Sequence, residues 1–249
     1  WVRPRNLRRG KPGGSTGLAW TRVENGVESS GAVMGASPDF TRRQLLTLTL
    51  FVEGGLGALA VVLGLVFGLP VPEWVQLGEL EVGLGILATL SLFGLLLLLW
   101  HFPVGPLKGL MRYVEGTLQP MFRPCRGMDL LVVAILAGVG EELFFRGLVQ
   151  GGLARLWGDW AGLVAASVLF GLAHCATREY VLLATLMGLF LGWLVLVTGN
   201  LAAAIIAHGG YDYLALLFLV RAGREEAGNQ RFGKPLWRPR GTKRRRGRK

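Results

Sequence analysis

Long runs of apolar residues, separated by short polar stretches, fill the chain between residues 44 and 220. A helix needs about 20 mainly apolar residues to cross the hydrocarbon core of a bilayer, which is about 30 Å thick. Six runs approach or reach that length, so the pattern predicts an all-α membrane protein built as a bundle of about six transmembrane helices. The predicted spans are residues 44–69, 82–100, 130–150, 160–175, 180–197 and 201–220.

The stretches outside these runs differ in character. Residues 1–43 form a basic, polar N-terminal segment, in which Met34 has the sequence context of a start; the sequence leaves open whether residues 1–33 are native. Residues 221–249 are predicted to be a basic, disordered tail. In the second loop, residues 107–118 mix apolar and charged side chains at helical spacing, which predicts a helix lying in the membrane interface. Prolines 103, 106, 120 and 124 are expected to bracket it, because proline ends helices readily.

Positive charge follows this span map closely. The chain carries 27 Lys and Arg against 16 Asp and Glu, a net charge of +11, yet only 17% of its residues are charged. Six spans place the basic residues on one side of the membrane, apart from Arg155 on the other side and Arg146 inside a span. The positive-inside bias therefore predicts a multi-pass protein, in the cell membrane if the source is bacterial, with both termini cytoplasmic. We expect the basic termini to contact anionic lipid and not nucleic acid.

A few ionisable residues lie inside the apolar spans, where charge is costly and persists mainly in pairs or at functional sites. Glu53 lies nearer a span end and we interpret it as structural. The others are Glu141, Glu142, Arg146, His174, His208 and Asp212.

The third span carries three of these groups. Glu142 and Arg146 are four residues apart, which places them on the same side of a helix as an ion pair. Glu141 points about 100° away from that pair, so its carboxylate is left free to act as a general base. Such a pair on its own is also common as a purely structural feature.

Two further spans carry the remaining groups. Four-residue spacing sets the ring of Phe170 beside His174, and puts His208 and Asp212 on one helix face. Three helices in a bundle can bring such side chains together in the core. Intramembrane Glu and His would also suit a proton relay, so a transporter is an alternative.

Taken in order, these residues resemble a known family. EExxxR (Glu141, Glu142, Arg146), FxxxH (Phe170, His174) and HxxxD (His208, Asp212) are similar to the motifs of the CPBP family. These are the CAAX-protease and bacteriocin-processing, or Abi, intramembrane proteases, related to type II CAAX prenyl endopeptidases. The resemblance covers roughly residues 129–216, which we take as the catalytic region of the bundle over residues 44–220.

The resemblance implies roles for individual residues. Glu141 would activate a water with His174, and His208 with Asp212 would stabilise the oxyanion. Glu142, Arg146 and Phe170 would organise the site. The family often has Asn at the last position, and an ionised Asp cannot donate to an oxyanion. Asp212 is therefore either protonated, an orienting partner of His208, or used differently.

The implied activity is that of an intramembrane endopeptidase, a hydrolase that needs no cofactor and cuts a membrane-tethered, CAAX-type substrate. One alternative is a metal-dependent protease, with zinc on Glu141, His174 and His208. The other is a non-proteolytic protein of the same fold, such as an immunity factor or scaffold.

Overall fold

The computed structural model describes residues 40–102, 105 and 108–231, and this part of the chain is helical without β-strands. The predicted segment 1–39 and residues 232–249 of the predicted tail lie outside the described residues. Its α-helices are α1 (Arg42–Phe67), α2 (Glu79–His101), α3 (Lys108–Tyr113), α4 (Gln119–Phe122), α5 (Gly127–Glu141), α6 (Gly151–Trp157), α7 (Asp159–Ala173), α8 (Arg178–Thr198) and α9 (Ala202–Arg231). A 3₁₀ turn occupies Val71–Trp74, and π-helical stretches occupy Val114–Leu118 and Glu142–Gln150.

Four of the described helices are long and apolar enough to cross a membrane, namely α1, α2, α8 and the Ala202–Glu225 part of α9. Helix α7 is apolar but has 15 residues, which at 1.5 Å per residue reach roughly 22 Å. The third predicted span is not a single α-helix, because α5 passes into the π-helical stretch at Glu142. The all-helical prediction is confirmed for the described residues, and four of their helices suit a membrane by length and composition, whereas the count of six spans and the orientation stay predictions.

The ends of α1 show how local sequence sets a helix boundary. Thr41 caps the first turn by accepting a hydrogen bond from the backbone N–H of Gln44, whose side chain bonds back to residue 41. At the other end Gly68 adopts a left-handed conformation with φ of 65°, and Pro70 follows. Glycine takes this conformation without steric cost, so α1 ends at Phe67, before the predicted residue 69.

Two predictions about the polar segments are wrong. Pro120 does not end the helix in the second loop, because the π-helical stretch before it widens the turn and carries the chain on into α4. The tail was predicted to be disordered from residue 221, but α9 continues to Arg231. Its outer end is anchored by Arg224, which donates to the carbonyl oxygens of Arg123 and Cys125.

Small residues let the long helices approach closely. Helix α9 packs along both α2 and α5, and α1 packs along α5. A Cβ at Gly138 would lie 2.7 Å from the backbone nitrogen of Gly209, and a Cβ at Gly85 would lie 2.7 Å from Ile206. Such glycine contacts are typical of helix packing inside membranes. The outward faces remain apolar: Phe51, for example, is 74% exposed.

A polar contact fixes α1 to the start of α5. The guanidinium of Arg42 donates two hydrogen bonds of 2.6 Å to the carboxylate of Asp129. The backbone N–H of Arg126 donates a third, of 2.7 Å. Asp129 precedes the predicted third span, and these donors, Arg42 first, lower its pKa to about 2. The contact ties together two helices that both reach the candidate site.

Candidate active site

The two adjacent glutamates lie where α5 gives way to the π-helical stretch. Glu141 is the last residue of α5 and Glu142 the first of that stretch. Gly140, just before them, packs so closely on α1 that a Cβ there would collide with the carbonyl oxygen of Glu53. The end of α5 is thus packed against α1 at Gly140 and against α9 at Gly138. The carboxyl groups are thereby held in the interior of the bundle, where Glu141 is 8% and Glu142 0% exposed.

Glu142 and Arg146 form the predicted ion pair. The guanidinium Nη1 of Arg146 lies 3.2 Å from Oε1 of Glu142, and both side chains are fully buried. Arg146 also places its guanidinium carbon 4.3 Å from the ring centroid of Phe170, and its Nη2 lies 3.4 Å from the carbonyl oxygen of Gly188. The charge is therefore held by a carboxylate, an aromatic face and a backbone carbonyl together.

His208 lies between two carboxylates. Its Nδ1 lies 2.8 Å from Oε1 of Glu142, and its Nε2 lies 3.5 Å from Oδ2 of Asp212. The predicted proximity of His208 and Asp212 is confirmed. The shorter contact with Glu142 was not predicted, because residues 66 positions apart share no sequence spacing that reveals it. One oxygen of Glu142 thus joins Arg146 to His208.

His174 lies beyond the last residue of α7, and not inside a span as predicted. The helix ends at Ala173 because the backbone leaves α-geometry at His174, with φ of −101° and ψ of 34°. The Nδ1 atom lies 2.9 Å from the carbonyl oxygen of Phe170. A carbonyl only accepts, so Nδ1 carries the hydrogen. Nε2 is left facing Glu141, whose Oε2 is 3.9 Å away.

The ring of Phe170 is the apolar centre of the site. It is 1% exposed and lies edge-on to Phe145 at 5.1 Å between centroids. The ring of His174 lies 4.6 Å away and that of His208 lies 5.9 Å away. The predicted contact between Phe170 and His174 is confirmed. Phe170 therefore separates the two imidazoles and also carries the guanidinium of Arg146.

Residues 126–214 match the family model of type II CAAX prenyl endopeptidases, Rce1-like. This region, 89 of the 249 residues of the chain, is similar to that family. The match confirms the predicted resemblance and contains all seven predicted site residues. No curated protein and no solved structure matches the chain. With the four long apolar helices, the Rce1-like domain indicates an integral membrane protein and supports a protease of the CAAX type.

All seven predicted site residues come together in the matched region, six of them in two polar groups with the ring of Phe170 between them. Glu141 faces His174, and Arg146, Glu142, His208 and Asp212 form a connected network. The two groups interact electrostatically, since the charges acting on Glu141 include those of His208, Asp212 and Glu142.

Two further side chains reach the site without belonging to any motif. The sequence pattern indicates a structural role for Glu53, but its carboxyl faces Glu141 from outside the Rce1-like domain. Its position as an acidic residue in an apolar run was the available signal. The ring of Tyr180 lies edge-on to His174 at 5.6 Å between centroids. Nothing in the sequence spacing reveals that contact, because the chain turns between α7 and α8.

The ligand atoms of the site residues are not arranged to bind a metal ion. Among the described residues no group of three or more His, Cys, Asp and Glu is placed to hold one. Both ring nitrogens of His208 face carboxylates, and Nδ1 of His174 faces a carbonyl. Of the three residues predicted as zinc ligands, only Glu141 and His174 present an uncommitted ligand atom toward each other.

Proposed function

We propose that the protein is an intramembrane endopeptidase that hydrolyses a peptide bond of a membrane-tethered, prenylated CAAX-type substrate with a water activated by Glu141. The observation that carries this proposal is the pair formed by Glu141 and His174. Oε2 of Glu141 is buried and receives no hydrogen bond from the described residues, and the facing Nε2 of His174 is 3.9 Å away. A gap of that size between two polar atoms suits a bridging water.

In the proposed reaction Glu141 accepts a proton from the water, whose oxygen attacks the carbonyl carbon of the scissile bond. His174 orients the water through Nε2, because its Nδ1 donates to Phe170. Glu141 then gives the proton to the leaving nitrogen as the carbon–nitrogen bond breaks. The products are a carboxylate and an amine, so the sequence uses water alone and leaves no covalent intermediate on the protein.

The oxyanion formed during attack needs a nearby donor or cation. We assign this role to His208, because Glu142 holds its Nδ1 at 2.8 Å, whereas Asp212 lies 3.5 Å from its Nε2 and leaves that N–H as the donor for the oxyanion. Asp212 would then orient His208, since an ionised carboxylate only accepts hydrogen bonds. Glu142 and Arg146 would hold His208 in place from the buried side.

The test uses the full chain purified in detergent and a matched pair of peptides, one farnesylated at a C-terminal CAAX cysteine and one unmodified. We expect cleavage of the farnesylated peptide, identified by mass spectrometry of both fragments, and its loss in Glu141→Gln. Glu79 is exposed in the first turn of α2, and Glu79→Gln should cleave normally. Unchanged cleavage in Glu141→Gln would contradict the proposed base.

Two added measurements separate the alternatives. Cleavage that a chelator abolishes and zinc restores would replace the glutamate mechanism with a metal-dependent one. Proton flux in liposomes without cleavage of any peptide would favour a transporter. Equal cleavage of both peptides would retain the protease and discard the preference for a prenylated substrate.

We also propose that six helical segments cross the membrane with both termini on the cytoplasmic side, where the basic ends contact anionic lipid. The charge distribution along the sequence supports this orientation. Single cysteines introduced at residues 38 and 240 of a Cys125→Ser and Cys175→Ser background should react with an impermeant thiol reagent only from the cytoplasmic face. Labelling of the two positions from opposite faces would contradict it.

A further inference from the structure

Glu53 on α1 is an acidic side chain that the proposed mechanism does not use. It lies in an apolar groove of about 240 Å³ between α1 and α5, of which it is the one titratable lining residue. Its Oε2 atom is buried and has no hydrogen-bond partner among the described residues. A carboxyl at such a position costs free energy unless it is neutral or paired. We therefore expect a side chain nearby that can share a proton or a hydrogen bond with it.

Glu141 lies on α5, the helix packed against this part of α1. Glycines let α1 and α5 touch at this level: Gly140 packs on the carbonyl oxygen of Glu53, and a Cβ at Gly57 would lie 3.4 Å from Cα of Gly140. The two carboxyls are close enough to hydrogen bond to each other. Such a bond requires that one of them carries a proton, because ionised carboxylates only accept.

The charges around the pair also require a bound proton. The groups that act on Glu53 are Glu141 on α5 and His208 and Asp212 on α9. Counting Glu142, four carboxyls surround one permanent cation, Arg146, and the two imidazoles of His174 and His208, which can become cationic. Full ionisation of all four would leave uncompensated negative charge in a medium of low dielectric constant.

We propose that Glu53 is a positioning residue that shares a proton with Glu141 and fixes the direction in which the Glu141 carboxylate faces His174. This inference rests on the proposed function of Glu141. When Glu53 holds the proton, it donates to Glu141 and leaves the base ionised with one oxygen anchored. The other oxygen of Glu141 stays directed toward Nε2 of His174, where the water is activated.

The activity test compares three variants of the full chain with the farnesylated peptide. We expect Glu53→Leu to lower kcat by about 10-fold to 100-fold with little change in KM, the range associated with a misplaced catalytic group. Glu53→Gln should recover most of that loss, because its amide N–H donates to Glu141 permanently. Its pH profile should also lack one ionisation seen in the wild type. Ala58→Leu, which narrows the same groove without removing a carboxyl, should cleave normally.

Several activity results would overturn the inference. These are normal cleavage in Glu53→Leu, an equal loss in Glu53→Leu and Glu53→Gln, or an equal loss in Ala58→Leu. Thermal unfolding in detergent shows whether each variant folds. If Glu53→Leu does not fold, the isosteric Glu53→Gln still tests the inference through its pH profile.

An infrared measurement tests the shared proton without any cleavage. We expect the carbonyl stretch of a protonated carboxyl in the wild type, absent from both Glu53→Gln and Glu141→Gln and unchanged in Glu79→Gln. Persistence of the band in either of the first two variants would overturn the shared proton. If the wild type cleaves no peptide but shows this band, the proposed function fails and the proton-sharing pair stands.

Discussion

The two groups of polar side chains in the site differ in how short and how buried their contacts are. Around Glu142 every contact is short and buried: the ion pair with Arg146 is 3.2 Å and the contact with His208 is 2.8 Å. Between Glu141 and His174 the distance is 3.9 Å, and the histidine is 24% exposed. Both glutamates leave Oε2 without a hydrogen bond from the described residues, but that of Glu141 faces an imidazole nitrogen across a gap that a reacting water can bridge. We therefore expect the neighbouring glutamates of the EE pair to have separate tasks.

Exchanging each glutamate for glutamine should give the largest effect and separates these tasks. We expect Glu141→Gln to lower kcat by about 10²-fold to 10⁴-fold, the range for loss of a general base, with unchanged thermal stability. Glu142→Gln should lower the unfolding midpoint and retain measurable cleavage at low temperature. Peptide cleavage and circular dichroism in detergent measure both properties. The comparison fails if the two variants lose activity and stability in the same proportion.

Removing the cation from the buried network should mainly affect stability. We expect Arg146→Met to lower the free energy of unfolding by about 3–5 kcal/mol, because it leaves the Glu142 carboxylate without its buried counter-ion. Adding Glu142→Gln should recover part of that loss. Arg155 also donates to a backbone carbonyl but is exposed, so Arg155→Met is the matched control. Equal destabilisation by the two Arg variants, measured by denaturant unfolding, would argue against a dominant buried pair.

The outer contact of the network should matter less than the inner one. Asp212 lies 3.5 Å from His208 and its side chain is 28% exposed, whereas Glu142 holds the same imidazole at 2.8 Å and is buried. We therefore expect Asp212→Asn to change kcat by about tenfold at most, within the range of a lost orienting contact. A complete loss of cleavage in this variant, with normal folding, would give Asp212 a direct catalytic role.

The smallest effect concerns a carboxylate outside the membrane-embedded site. The pKa of Asp129 is lowered to about 2 by Arg42 and the Arg126 backbone. A lowered pKa adds stability above the unfolded-state value of about 4, and this contribution is lost as the pH falls toward 2. Asp129→Asn should therefore remove part of the acid dependence of the unfolding midpoint. Asp159→Asn, at an exposed position with no such donor pair, should leave that dependence unchanged.

Spacing within one helix could be predicted from the sequence, and contact between helices could not. The pairs Glu142–Arg146, Phe170–His174 and His208–Asp212 are each four residues apart, so helical geometry alone brings them together. The contact of Glu142 with His208 depends on how α5 packs on α9, which is decided by glycines such as Gly138 and Gly209.

The ends of the helices and the contacts of Glu53 could not be predicted from the sequence, for related reasons. Helix α7 ends before His174, where the backbone changes direction. No helix-capping residue at this position in the sequence predicts that end. The sequence shows Glu53 as an ionisable residue in an apolar run but gives no sign of which side chain it contacts. Its proximity to Glu141 follows from the close packing at Gly140, a three-dimensional fact about two segments far apart in sequence.

The π-helical stretch Glu142–Gln150 makes the site sensitive to chain length. A π-helix takes more residues per turn than an α-helix, so this stretch holds surplus chain relative to a regular helix over the same distance. Deleting one residue after Arg146 would let the stretch rewind and would turn the helices that follow relative to Glu142 and Arg146, while preserving every side chain of the motif and its spacing. Relatives of this protein could thus keep the whole EExxxR pattern and still be inert, and a gap in that region would be more informative than a substitution.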